Sequence, residues 1–438
     1  MTKRIFVKDD KKVLRAWAFY DWANSVYPLV INTAIFPLFY LELFEIKKIQ
    51  FIKVFVFNYI DSALIQHVSS FVFLLLALLI PLLSGIADFL GNKKFFMKLF
   101  VYLGSFSCMG LYFFDLDNIY LGLLIYSLAL FSFWASLVFY NSYLPEIAKP
   151  KDQDRASAFG YSLGYIGSVI LLLFNLYMLF FAETPEDRIE AFKISFLTVG
   201  FWWLIFSQYT FYYLPSLKNK VNKKQLLKKS ILFSGFKKLY NVWLLIKNKN
   251  NIKKFLIAFF IYSTAVQTII LIAAFFGNKV IDWEKYGENK TLGLIISILI
   301  IQLIAVIGSI GGAKLSKKIG NIKTLIIFNI MWFLICVFAY SIQSPLEFYL
   351  VAGFVGLVMG GIQSLSRSTY SKLIPETNDT CSFFSFYQMC MIISIIFGTF
   401  TSGLIEQLTG NIRYSIFVFA GLFIVGAFLL RGIKMKSI

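Results

Sequence analysis

Ser84-Gly85-Ile86-Ala87-Asp88-Phe89-Leu90-Gly91-Asn92-Lys93-Lys94 and Ala313-Lys314-Leu315-Ser316-Lys317-Lys318-Ile319-Gly320-Asn321-Ile322-Lys323 are two versions of one chain ending. Each closes an apolar run with small residues, turns on Gly-Asn and then presents lysine. Working outward, runs of about 20 mostly apolar residues, enough to cross a bilayer as helix, fall at 16–43, 62–87, 95–114, 118–143, 157–181, 190–213, 255–277, 291–313, 322–342, 346–366, 382–405 and 413–431. The first ending follows the second run and the other follows the eighth, six runs later. The expected fold is an all-α integral membrane protein of twelve transmembrane helices in two six-helix bundles. The bundles are expected at 1–214 and 255–438, joined by a Lys-rich linker at 215–254.

Composition agrees with lipid as the solvent. Of 438 residues, 58% are hydrophobic and 15% charged, with a mean hydropathy of +0.73. Soluble domains carry about 25% charged residues. The net charge of +19 does not point to nucleic acid, because the basic residues sit in short loops between apolar runs. With both ends on the cytoplasmic side, 33 of the 42 Lys and Arg fall on that side, as the positive-inside rule requires. The expected location is the cytoplasmic membrane, with both termini inside. The first apolar run lacks a cleavage site of signal-peptide type and reads as an uncleaved span.

The segment 214–254 holds twelve Lys and no Asp or Glu. Leu232, Phe236, Leu239 and Trp243 recur there at helical spacing, with Lys228, Lys229, Lys237 and Lys238 around them. Two readings stand side by side: an amphipathic helix on anionic inner-leaflet lipid, or a solvated linker that only fixes topology.

Polar side chains in spans turn toward protein or a wet cavity. Span 1 carries Tyr20, Asn24, Tyr27 and Asn32; span 4 carries Ser136 and Tyr140; span 7 carries Ser263 and Gln267; span 10 carries Gln363 and Ser364. These ten are the expected substrate cavity. Spans 5 and 8 carry glycine patterns instead, suited to close packing. Asp21 lies inside span 1, where an unpaired carboxylate costs about 2.5–3.5 kcal/mol on insertion scales. Arg367 in span 10 is at matching depth, so the two are expected to form a gate. Asp88, at the end of span 2, is expected to bind Arg155 and the N-terminal amides of span 11 as a conformational latch. Glu146 closes span 4 and belongs to the same gating group. His67, the sole histidine, reads as a packed residue. The four cysteines stand singly in apolar runs, without metal or redox spacing. No phosphate-binding loop of the G-x-x-x-x-G-K-[ST] type occurs. No cofactor, metal or enzymatic activity is expected.

Trp17-Ala18-Phe19-Tyr20-Asp21-Trp22-Ala23-Asn24-Ser25 resembles the signature of the unknown-major-facilitator family, whose eukaryotic relatives are the autophagy-related vacuole effluxers. Phe139 to Ile147, Gly160 to Gly167, Gly360 to Ser368 and Phe383 to Tyr387 resemble further segments of that family, in the same order. The resemblance implies a major-facilitator fold in which spans 1, 4, 7 and 10 line the cavity and spans 3, 6, 9 and 12 lie outside. It implies a secondary transporter, with amino-acid export as the leading activity. Drug or peptide efflux is the nearest alternative, and a non-transporting scaffold or receptor the alternative of another class. The expected partners are a small solute and the bilayer; no oligomeric state follows. The second chain ending carries Lys317 in the place of Asp88, so no carboxylate latch is expected from it.

Overall fold

A peptide group in hydrocarbon has no water to bond, so each apolar run closes its own hydrogen bonds as helix. The computed structural model describes residues 7–49, 51–54, 56–59, 61–216 and 228–435. Among these, twelve spans are long and apolar enough to cross a membrane: Lys11–Lys47, Leu64–Leu90, Lys93–Phe113, Ile119–Ile147, Pro150–Phe180, Pro185–Tyr213, Asn250–Val280, Lys290–Ile319, Asn321–Ser341, Pro345–Leu373, Thr380–Thr409 and Arg413–Leu430. They match the twelve expected runs one for one. Most continue beyond the apolar run by a turn or two, because helix ends in the interface are capped by polar residues. Span 6 starts with a reciprocal Thr184–Asp187 capping box and span 10 with Ser344–Glu347, each followed by proline at the first turn.

Span 1 is not one regular helix. Residues Lys11–Asn24 are α-helical, Tyr27–Ile35 widen to a π-helix with Pro28 in its first turn, and Phe36–Lys47 return to α. Proline removes a backbone donor and forces this adjustment. A two-stranded antiparallel hairpin, β1 Ile52–Val54 and β2 Phe57–Tyr59, joins spans 1 and 2. His67 packs beside the Tyr59 ring at 5.7 Å.

Spans 1–6 pack on one another, as do spans 7–12, and the two bundles meet along spans 2 and 11 and along spans 5, 8 and 10. Both chain ends lie on one face. The Asp9 amide donates to Ile147 O at 2.8 Å beside the end of span 4, and Asn251, at the start of span 7, donates to Lys434 O at 2.6 Å. We call this the terminal side. Between spans 6 and 7 a linker helix runs Lys228–Asn248. The Lys-rich positions 217–227 lie outside the described residues, as do the side chains of Lys228, Lys229 and Leu232.

Candidate functional site

The seam between the bundles holds a buried charge pair. Arg367, 2% exposed on span 10, reaches across to Asp21, 5% exposed on span 1. Its Nη2 donates to Asp21 Oδ2 at 3.0 Å and to Ser157 O at 2.9 Å; its Nε donates to Ser157 Oγ at 2.9 Å; its Nη1 reaches Asn141 Oδ1 at 3.4 Å and Asp21 Oδ1 at 3.5 Å. Tyr140 donates to Asp21 Oδ2 at 2.8 Å. The guanidinium also lies 4.3 Å from the Tyr161 ring centre and 4.8 Å from that of Trp17. One arginine therefore ties span 10 to spans 1, 4 and 5. The carboxylate can come this close because position 160 is glycine: a Cβ there would sit 2.3 Å from Asp21 Oδ2.

Toward the terminal side, three more carboxylates cross or brace the seam. Asp88 accepts from the amides of Cys381 and Ser382 at 3.1 and 2.7 Å and from Ser382 Oγ at 2.6 Å. It caps the N-terminus of span 11 from the other bundle, where the free amides and helix dipole favour an anion. Arg155 is not among its partners: that side chain begins span 5 on the exposed face, so the expected Asp88–Arg155 contact is corrected. The nearby cation is Lys93, which pairs with Glu146 at 2.6 Å and donates to Ser142 O at 3.1 Å. Glu146 in turn accepts from Thr380 Oγ1 at 2.7 Å.

The second chain ending does anchor a carboxylate, contrary to expectation. The acid comes from span 5 rather than from the turn. Asp154 accepts from Lys372 Nζ at 2.6 Å, from Asn321 Nδ2 at 2.8 Å and from Ser316 Oγ at 3.1 Å. The turn thus supplies donors where its counterpart supplies an acceptor. Asp154 was missed because Lys151-Asp152-Gln153-Asp154-Arg155 reads as a solvated helix start; only the fold shows that the adjacent Gln153 and Asp154 are buried.

Further into the membrane, a small space of about 20 Å³ lies against the seam, lined by Tyr161, Phe259, Tyr262, Ser263, Gln267, Gln363, Ser366, Tyr387 and Met391 among others. Tyr165 donates to Gln363 Oε1 at 2.9 Å, and Tyr262 and Ser366 share a hydrogen bond of 2.7 Å. Ser263 Oγ is buried with no partner. Of the ten expected cavity residues, Ser263, Gln267 and Gln363 line this space. Tyr140 belongs to the charge pair, and Ser364 O accepts from Ser157 Oγ at 2.7 Å in the seam. The others turn into the first bundle. Tyr20 donates to Ser136 at 2.8 Å, Tyr27 packs on Phe133 with ring centres 5.1 Å apart, Asn24 is buried, and Asn32 accepts from Tyr126 at 3.3 Å. A polar stripe seen in sequence does not distinguish a wet cavity from a neighbouring helix, and span 1 has both. Tyr161 and Tyr387 were missed as lining residues, although both lie in the motif segments quoted above.

Beyond Tyr165 and Gln363, no hydrogen bond or ion pair joins the bundles among the described residues. The molecule is closed on the terminal side. No group of three or more His, Cys, Asp or Glu suited to a metal ion occurs among the described residues.

Two bundles meeting at a central space define the class: this is the major-facilitator transporter fold. Solved structures agree over nearly the whole length. The fucose transporter FucP in its outward conformation superposes with a TM-score of 0.69 at 15% identity, covering 98% of this chain and 99% of that one. A bacterial homologue of the iron transporter ferroportin, outward-facing, gives 0.66 at 11% identity, covering 97% and 99%. The sequence model described as "Vacuole effluxer Atg22 like" matches residues 9–437, and the chain belongs to that family. YxiO of Bacillus subtilis, an MFS-type transporter, is 30% identical over 96% of this chain and 95% of its own length. Autophagy-related protein 22 of Saccharomyces cerevisiae is 23% identical over 82% of this chain and 75% of its own. That of Eremothecium gossypii is 27% identical over 61% of this chain and 53% of its own.

Proposed function

We propose that this protein is a secondary transporter that moves a small zwitterionic solute, amino acids being the leading class, by alternating access. The observation that carries the reading is the Asp21–Arg367 pair buried beside the central space. An ammonium matches Asp21, a carboxylate matches Arg367, and a solute bearing both meets the pair without adding net charge. The aromatic walls of Tyr161, Phe259, Tyr262 and Tyr387 suit an apolar side chain. Asp21 and Arg367 act as the gate, Asp88 with span 11 as a latch, and export is the working direction. The charge distribution over the loops supports a cytoplasmic-membrane location with the terminal side inside, and the lysines of the linker suit anionic inner-leaflet lipid.

The test is uptake of a labelled amino-acid panel into proteoliposomes, with and without a pH gradient. Flux of a neutral amino acid that falls in Gln363→Leu and vanishes in Arg367→Ala is the expected result. Flux of larger cationic drugs with no amino-acid flux would replace the substrate class. No flux across both panels would turn the reading toward a scaffold.

A further inference from the structure

The linker helix Lys228–Asn248 is built into the seam, and nothing about the transport reading requires it. Its inner face, Gly235, Leu239, Val242 and Ile246, follows the i, i+4, i+7, i+11 spacing of one helical stripe, and Val242 and Ile246 are buried. Gly235 lies directly on span 2. A Cβ on Gly85 would sit 2.3 Å from Gly235 O, and one on Gly235 would sit 2.7 Å from Ile86 Cγ1 and 3.0 Å from Ile86 N. The two backbones touch, and both positions must be glycine for them to do so. The same helix holds span 11 of the other bundle. Lys238 pairs with Asp379 just before that span, and the Trp243 and Phe386 rings lie 5.8 Å apart. It therefore straddles the two spans that Asp88 joins from within.

The outer side has a different chemistry. Phe233, Phe236 and Tyr240 form a second stripe, each at least 54% exposed, and Trp243, 49% exposed, stands at the border between the two faces. Lys237 and Lys247 are exposed beside it, and the whole segment 214–254 has no acidic residue to repel an anion. Three aromatic rings in water are costly, whereas aromatic rings with lysines at the ends of spans are what a headgroup layer accepts.

We propose that the linker helix is a clasp that binds anionic phospholipid on its outer face and holds the span 2–span 11 seam shut with its inner face, so that leaflet charge sets how firmly the terminal side stays closed. The occupant is the lipid surface, rings in the acyl boundary and lysines on phosphate. Binding needs both chemistries at once.

The experiment is hydrogen–deuterium exchange on the full chain in nanodiscs of phosphatidylcholine alone or of equal parts phosphatidylcholine and phosphatidylglycerol. Two lysines at an anionic surface are worth about thirtyfold. Amides of the linker helix and of residues 380–386 should exchange slower by about that factor in the anionic discs. The Lys237→Gln/Lys247→Gln pair should erase the lipid dependence. Gly85→Leu should speed exchange in both segments in either lipid; if that chain does not fold, Lys238→Gln provides a milder release of the same contact. Equal exchange in the two lipids overturns the proposal. So does full protection by soluble glycerophosphoglycerol in neutral discs, which would make the site one for a free phosphate. So does unchanged exchange at 380–386 when the linker helix is released.

Discussion

Removing Arg367 should convert a molecule closed on the terminal side into one that is open there. The side chain makes its hydrogen bonds to spans 1, 4 and 5 from span 10, and it is 3% exposed beside an Asp21 side chain that is 7% exposed. In Arg367→Met the closed form strands the Asp21 carboxylate, with Tyr140 as its remaining donor. Breaking a buried pair from one side costs about 3–5 kcal/mol. The open form escapes that cost, because water entering the seam hydrates the carboxylate. The closed-to-open ratio should therefore fall by roughly two to four orders of magnitude. Spin labels at Lys151→Cys on span 5 and Lys317→Cys on span 8, both exposed on the terminal side, report the change by electron–electron resonance on a Cys390→Ser background. The expected result is a longer-distance population that dominates in Arg367→Met and recedes when Asp21→Asn is added, since removing both charges leaves nothing stranded. A distance distribution in Arg367→Met identical to that of the parent would refute the reasoning, because the pair would then not be holding the bundles together.

Three further outcomes follow from the same geometry. Asp154→Ala leaves Lys372, 5% exposed, as an uncompensated buried cation and should cost about 3–5 kcal/mol, with the Asp154→Ala/Lys372→Met pair costing less; melting curves in detergent give the comparison. Gly160→Ala places a methyl 2.3 Å from Asp21 Oδ2 and should shift the spin-label distances in the same direction as Arg367→Met, by a smaller amount. On the opposite side, Asp115 pairs with Lys47 at 2.5 Å. Burial alone would raise its carboxyl, but hydrogen bonds from Lys47 and from the Asp117 amide outweigh that and hold it below the ordinary carboxylate range. Its contribution to stability is present above the unfolded-chain value and is lost as the pH falls through the lowered folded value. Melting temperatures of Asp115→Asn and the parent should accordingly differ near neutral pH and converge in acid.

The spans were legible because lipid imposes one requirement, about 20 apolar residues closed as helix, which few other folds satisfy twelve times. Asp21 and Arg367 could be paired from sequence for a similar reason: each is too costly to leave alone at its depth. The rest needed three dimensions. Whether Tyr20 and Tyr27 face a cavity or Ser136 and Phe133 depends on where span 4 sits, and no periodicity in span 1 carries that information. Asp154 hides in a stretch whose mixed charges read as those of a solvated helix start. The lysine-rich linker displayed its outer chemistry plainly, but its inner face rests on Gly85 touching Gly235, two residues 150 positions apart with no side chains to mark them.

One pattern runs through the seam. Asp21, Asp88, Glu146 and Asp154 all belong to the first bundle, and their partners across the seam, Arg367, Lys372, Asn321, Thr380 and the amides of span 11, all belong to the second. The two halves still show their repeated chain endings, yet their contact surfaces have become opposite in sign. Two copies of the first half would set carboxylate against carboxylate, and two copies of the second would set cation against cation. Expressed as separate chains, the halves would recognise each other and reject themselves.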